Sequence, residues 1–319
     1  MASDGKELRG KLVTVIGGSG FFGKHVAQEL LSRGARLRIA SRHPERAYRS
    51  KTQGNLGEVQ FVRCDVTRSA SLANAVAGAD AVVNLVGAFA GNLDAVQGSG
   101  AGRIAAAASA AGVAAFVHIS AIGANAESNV EYARTKAEGE AAVLAAFPGA
   151  TVLRPSILFG PDDNFVNMFG RLIAMLPALP VFAPKAKLQP LFVDDAAEAV
   201  AHALADAGRH GGKTYEIAGP AVLTMAELNQ RIAQAEGRSR WLIELPDPVG
   251  GLIAWFGFLP GAPITSDQFA LLQAGNVASG ALPGLEALGV HARPLELYLD
   301  RWLVQYRKHG RFGTKASAG

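Results

Sequence analysis

The stretch "LVTVIGGSGFFGKHVAQELLSRG", residues 12–34, decides how this chain folds. A short apolar and β-branched run leads straight into a glycine-rich turn. The turn leads into a helical pattern that Gly34 ends. Gly17, Gly20 and Gly23 give the spacing G-x-x-G-x-x-G. Between a strand and a helix, such glycines let the backbone turn tightly and approach a pyrophosphate. The negative charge of that group is favoured at a helix N-terminus. Ser19, Phe21 and Phe22 lie between the glycines and belong to the same candidate cradle.

The alternation continues outward from that turn. "RLRIAS" (36–41), "VQFVRCDV" (59–66), "AVVNLVG" (81–87), "AFVHIS" (115–120) and "ATVLRPSILFG" (150–160) read as strands. "SASLANAVAG" (69–78) and "GAGRIAAAASAAGV" (100–113) read as helices. Continuous apolar strands separated by helices imply a parallel sheet covered on both faces, an α/β doubly wound architecture. The expected organisation is a dinucleotide-binding domain over 1–160, to which 188–220 returns. Residues 161–187 and 221–319 would form a smaller, mostly helical C-terminal lobe. In that lobe, "LTMAELNQRIAQAEG" (223–237) predicts a helix with Thr224 and Glu227 as a capping box.

The end of the second strand bears on which dinucleotide is held. An acid there would bond a ribose 2′-hydroxyl. The chain reads "RIASRHPER" (38–46), with no acid at Ala40, Ser41 or Arg42. A serine hydroxyl and a planar guanidinium suit a 2′-phosphate, which an acid would repel. This favours NADP(H) over NAD(H), with Arg46 as a second cation.

"NVEYARTKAEGE" (129–140) sets Tyr132 and Lys136 four residues apart, on one helical face. A nearby ammonium is expected to lower the pKa of the phenol, which could then exchange a proton as a hydride moves.

With these pieces in order, the chain resembles an extended-type short-chain dehydrogenase/reductase with a Rossmann fold. "GGSGFFG", "CDV" (64–66), "NLVG" (84–87), "YARTK", "LRPSILFGP" (153–161), "QPLFVDDAAEAV" (189–200) and "YEIAGPAVLTMAEL" (215–228) carry the resemblance. It implies that Asp65 and Val66 meet the adenine, and that Leu85, Val86 and Gly87 lie along the ribose and phosphates. Lys136 would bond the nicotinamide ribose, and Pro155 would border the nicotinamide. The family's enzymes also use a serine near the end of the fifth strand. Here Ser120 ends the strand, while the expected position falls nearer Ile122, which cannot donate to an oxyanion. Losing such a donor typically costs ~100- to 1,000-fold in rate.

"EYARTKAEGEAAVLAAFPGATVLRPSILFGPDDNFVNMF" (131–169) and "LPGLEALGVHARPLELYLDRWLVQYRKHGRF" (282–312) are similar to one atypical branch of that family. It contains the nucleotide-binding accessory subunits of respiratory complex I (NADH:ubiquinone oxidoreductase) and their bacterial relatives. The branch implies NADPH held for structure or assembly and docking on complex I subunits. The family at large implies a reductase, dehydrogenase or epimerase acting on an apolar or sugar-nucleotide substrate through Tyr132 and Lys136. A sensor of the NADPH/NADP ratio is a third possibility.

Composition bounds these readings. The chain has 319 residues, 49% hydrophobic and 18% charged, enough for a large core. A net charge of +4 is not a nucleic-acid signature. Cys64 is the single cysteine, so no internal disulfide is expected. The seven histidines have no ligand spacing, so no metal is expected, and His118 reads as a core residue. Asp194 and Asp195 read as helix-capping acids. "MASDGKELRGK" is unlike a secretory signal or transit peptide. No apolar run reaches the ~18–20 residues of a membrane span.

Two C-terminal features suggest docking. "VGGLIAWFGFLPGAP" (249–263) is an apolar cluster that reads as lobe core, or as a surface for a membrane, a quinone-like lipid or a partner subunit. Arg301, Arg307, Lys308, Arg311 and Lys315 make a basic end that reads as a solvated tail or as a contact to an acidic surface. The expected location is peripheral at the cytoplasmic side of an inner membrane, or soluble in the cytoplasm.

Overall fold

The apolar run at the N-terminus forms β1 (Leu12–Ile16), buried from Val13 onward. It belongs to a computed structural model that describes residues 7–47, 54–55, 57–255, 264–308 and 310. Beside β1 lie β2 (Arg36–Ser41), β3 (Val59–Arg63), β4 (Ala81–Asn84), β5 (Ala115–Ile119), β6 (Thr151–Pro155) and the strand Thr214–Ile217. All seven are parallel. The order across the sheet is Thr214–Ile217, β6, β5, β4, β1, β2, β3. The chain starts at β1, runs out to β3 and returns to β4 on the other side. The carboxyl ends of β1 and β4 therefore flank the switch point, where such sheets bind ligands.

Helices cover the sheet because its strands are apolar on both faces; β4 and β5 are buried at every residue. They include α1 (Phe21–Ser32), α2 (Ser69–Val76), α3 (Leu93–Gln97), α4 (Ser99–Ala110), α5 (Glu131–Ala146) and the helix Val193–Ala205. The alanine-rich composition of α4 has a packing reason. A Cβ on Gly102 would come within 2.8 Å of the Ala142 Cβ, so only small residues let α4 lie this close to α5. The helix Val193–Ala205 carries Asp194 and Asp195 in its first turn, and Asp194 Oδ1 lies 2.5 Å from His25 Nδ1 of α1.

Two compact units share the chain. The first comprises Met1–Pro155, Val193–Ile217 and Ser279–His291; the second comprises Ser156–Phe192, Ala218–Ala278 and Ala292–Gly319. In the first unit, Arg154 on β6 grips Glu140 of α5 through two bonds of 2.9 and 2.7 Å, and its Nη1 stands 3.9 Å from Glu216. Glu216 also accepts from the amide and hydroxyl of Ser279, at 2.6 and 2.7 Å. Both glutamates are buried.

In the second unit, Asp163 accepts hydrogen bonds from the amides of Phe165 and Val166, at 2.7 and 2.6 Å, starting the helix Val166–Met175. The capping box at Thr224 and Glu227 forms, opening the helix Met225–Ala235. Phe159, Phe192, Tyr298 and Trp302 pack ring on ring. Arg307 is turned inward: its Nε donates to Ala235 O at 2.9 Å, and its Nη2 lies 3.3 Å from Asp300 Oδ1. It is therefore not part of a solvated basic tail. Arg311 and Lys315 lie outside the described residues, as do residues 256–263 of the apolar cluster. Among the described residues, no helix is long and apolar enough to cross a membrane.

Glu236 is buried in the second unit, and neither carboxyl oxygen accepts a hydrogen bond. Burial pushes its carboxyl up to about 8, against Arg238 and Arg240. Its proton is thus held more tightly folded than unfolded. This group makes stability fall as pH rises from the ordinary 4.5 to about 8. Glu236→Gln should flatten that decline in thermal melts across the same window. In the first unit, Arg154→Met should strand two buried carboxylates and lower stability by roughly 3–5 kcal/mol, measured by urea titration.

Candidate dinucleotide site

Where β1 turns into α1, the backbone packs too closely at Gly17 and Gly23 for a side chain. Gly17 has φ +83°, and a Cβ there would come 3.2 Å from Leu85 C and Val86 N of the loop after β4. Gly17 N donates to Ala40 O at 2.8 Å, tying the turn to β2. At Gly23 a Cβ would lie 2.5 Å from Gly18 O, a backbone atom that cannot swing aside. Gly20 differs. A Cβ there would meet only Gly17 O, at an ordinary 3.6 Å. The protein's own packing does not demand glycine at that position, and the bare backbone leaves room for a group approaching from outside. Gly20 is also the N-cap of α1, which has no side-chain cap and no acid in its first turn. Its leading N–H groups have no side-chain acceptor and suit an anion. Ser19, Phe21 and Phe22 stand on this turn.

Around the cradle, Ser41 ends β2. Its hydroxyl is buried and has no hydrogen-bond partner, a donor awaiting an acceptor. Arg42 follows it and is exposed. Asp65 closes its own turn by accepting from the hydroxyl and amide of Thr67, at 2.7 and 3.0 Å. Those bonds hold its carboxyl below the usual range, with help from Arg68 and Arg42. Val66 O accepts from Arg103 Nε at 3.3 Å.

After β4, Leu85 N donates to Ile16 O at 2.9 Å and Val86 N to Asn84 Oδ1 at 3.1 Å. The Asn84 amide nitrogen lies 3.0 Å from His118 Nδ1. That amide can only donate, so the proton of the neutral ring sits on Nε2, which has no partner. Burial, then the charge of Lys136, hold His118 down to about 3. Gly87 passes close to Lys136: a Cβ there would stand 3.3 Å from its Nζ. The next amide, Ala88 N, donates to Gln97 Oε1 at 3.0 Å, and Gln97 Nε2 donates to Thr135 Oγ1 at 2.9 Å. The loop is thereby fastened to α5, the helix that carries Tyr132 and Lys136.

Lys136 Nζ donates to Ile119 O at 3.1 Å. Burial pushes its ammonium down to about 8, opposed by Glu140 one turn on. The expected lowering of the Tyr132 phenol is not found. Burial pushes it up to about 12, and Phe89 lies flat on its ring, 4.6 Å between centroids and 10° between planes. Ser120 Oγ is buried without a hydrogen-bond partner at the end of β5. Ile122 N donates to Pro155 O at 3.1 Å, which brings Pro155 to the same edge. Phe89, Gln97 and Thr135 were not read from the sequence as site residues. Thr135 lies inside "YARTK", but Gln97 and Phe89 reach the site through loops whose course no local pattern fixes. Among the described residues no cluster of three or more His, Cys, Asp or Glu could hold a metal.

The cradle, the two orphaned hydroxyls and the uncapped helix fit a dinucleotide. The fold and site define a dinucleotide-binding α/β protein of the short-chain dehydrogenase/reductase type. The chain belongs to the NAD dependent epimerase/dehydratase family, whose pattern matches residues 13–218. It is 30% identical over 330 residues to the mitochondrial NADH dehydrogenase (ubiquinone) 1 alpha subcomplex subunit 9 of Arabidopsis thaliana, covering 97% of this chain and 82% of that one. It is 29% identical to a ceramide reductase of Caulobacter vibrioides, covering 82% of each. The fold matches that of an NADPH-dependent quinone oxidoreductase of Escherichia coli. That structure aligns with a TM-score of 0.70 at 20% identity, over 90% of this chain and 98% of that one.

Gly23→Ala should lower stability by about 1–3 kcal/mol, since its Cβ must displace backbone. Gly20→Ala should stay within about 1 kcal/mol of the parent, the cost of a poorer cap. Both should weaken dinucleotide binding roughly tenfold or more. Denaturant melts and calorimetric titration separate the two effects.

Proposed function

We propose that this chain is an accessory subunit of respiratory complex I that holds NADP(H) in its cleft as a structural ligand. The observation that carries the reading is the extent of the similarity. The family pattern ends at residue 218, but the match to the complex I subunit covers 97% of the chain. The second unit is therefore shared as well, and we infer that it meets partners. Its exposed apolar residues support this use. Val249, Leu252 and Trp255 recur every three residues along the helix Asp247–Trp255, and Trp241 and Ile243 are exposed on the strand Trp241–Glu244. We infer docking of this unit on a neighbouring subunit at the surface of an inner membrane.

For the cofactor, the cradle at Gly17, Gly20 and Gly23 would hold the pyrophosphate, with Leu85, Val86 and Gly87 beside it. Ser41 and Arg42 would bind a 2′-phosphate, and Asp65 and Val66 would flank the adenine. Lys136 would hold the nicotinamide ribose, and Pro155 and Ser120 would border the nicotinamide. Bound in its oxidised form, the dinucleotide would take a hydride from a substrate whose proton must go to a base, and a Tyr132 phenol kept protonated by burial is poorly suited to accept it; bound in its reduced form, it would supply a hydride, for which the same phenol could give the proton. Retained cofactor then stabilises the fold by mass action. The second reading is an enzyme with Tyr132 as its acid. It is favoured by a buried Lys136 on the same helix as that phenol and by the reductase among the relatives.

Membranes of the source cells, solubilised in mild detergent and fractionated natively, test the assignment. The chain is expected to migrate with complex I activity, and migration as a free soluble species would overturn the reading. Tyr132→Phe should leave that migration and cofactor retention intact, whereas an enzyme would lose turnover. Ser41→Ala with Arg42→Ala should weaken NADP(H) by about 10- to 100-fold, from the loss of charge-assisted bonds, and leave NAD(H) nearly unchanged.

A further inference from the structure

Phe89 is an exposed aromatic residue, 69% accessible, yet it is not loosely placed. Its ring lies flat on Tyr132, with centroids 4.6 Å apart and planes within 10°. The backbone just before it is pinned, because Ala88 N is held by the wholly buried Gln97. Gln97 in turn is fixed to Thr135, one turn along α5 from Tyr132. Gly139 on the same helix is equally tight, since a Cβ there would fall 2.0 Å from Gln97 O. A loop side chain and a helix side chain are thus locked together through a buried amide. A large apolar ring held in water has little folding value at that point. Its rigid placement on a phenol needs another reason.

We propose that Phe89 is a positioning residue for the reaction corner: its stack fixes the Tyr132 ring and strips water from it, so the phenol serves as a fixed neutral hydroxyl. The charged groups around the phenol do not supply this. Lys136, on the same helix, is turned to Ile119 O. Glu131 begins α5 and supplies its backbone carbonyl to Thr135. On α3, Asp94 is engaged by the amide and hydroxyl of Ser99. His118 of β5 is neutral, and Gln97 and Thr135 carry no charge. Burial is the one cause that raises the phenol to about 12. Tyr132 becomes a hydrogen-bond donor with a set direction rather than a proton acceptor. The inference deepens the reading of a retained cofactor, but its test needs no dinucleotide, so the two can fail separately.

The test is the ionisation of Tyr132, followed by ultraviolet absorbance as the signal that Tyr132→Phe removes. 3-Fluorotyrosine incorporated throughout brings the midpoint to a pH at which the fold survives. Phe89→Ala should lower the midpoint by roughly one pH unit or more, about tenfold in acidity. Phe89→Trp, which restores a stacking ring, should keep it high. Gln97→Ala, which frees Ala88 N, should shift it in the same direction as Phe89→Ala. Phe89 is exposed, so its alanine variant should fold; should it not, Phe89→Leu replaces it. A midpoint unmoved in both Phe89→Ala and Gln97→Ala overturns the proposal, as does a Phe89→Trp variant that titrates like Phe89→Ala.

Discussion

The close approach of α1 to the loop that precedes it sets the terms for the rest of the first unit. Gly23 stands where any Cβ would sit 2.5 Å from Gly18 O. That contact lets the helix start with four residues, 17–20, between it and the end of β1. Gly17 does the same sideways, against the backbone of Leu85 and Val86. The two approaches close the floor of the cleft with main chain alone. The bare surface at Gly20 and the amides of α1 that lack a side-chain cap stay open. The orphaned hydroxyls of Ser41 and Ser120 stand at the carboxyl ends of β2 and β5.

The opposite wall depends on a different constraint. Arg154 holds Glu140, and so fixes α5 to β6 and presents Tyr132 and Lys136 at the edge of the sheet. Glu140 also sits one turn from Lys136 and keeps its ammonium from falling further. Burial holds the Tyr132 phenol protonated, so it can give a proton but does not readily take one, and Phe89 is stacked on its ring.

Much of this was legible in the residues. The glycine spacing and the alternation of strands and helices are local patterns, and local patterns fix a doubly wound sheet. The capping box at Thr224 and Glu227 was readable for the same reason, since it spans one helical turn. The ionisation of Tyr132 was not readable. The spacing to Lys136 suggested a lowered phenol, but the covering ring comes from a loop after β4 whose course depends on buried Gln97. Arg307 misled for a similar cause. In sequence it belongs to a basic run, while in the fold its guanidinium reaches Ala235 O of another helix. Long-range packing decided each of these, and no period or spacing encodes it.

Retention of NADP(H) as part of the folded protein is tested by purifying the chain through dinucleotide-free buffer, denaturing it, and identifying and counting the nucleotide released. NADP(H) is expected in an amount close to one per chain. Release of no nucleotide, or of NAD(H) in its place, would contradict it.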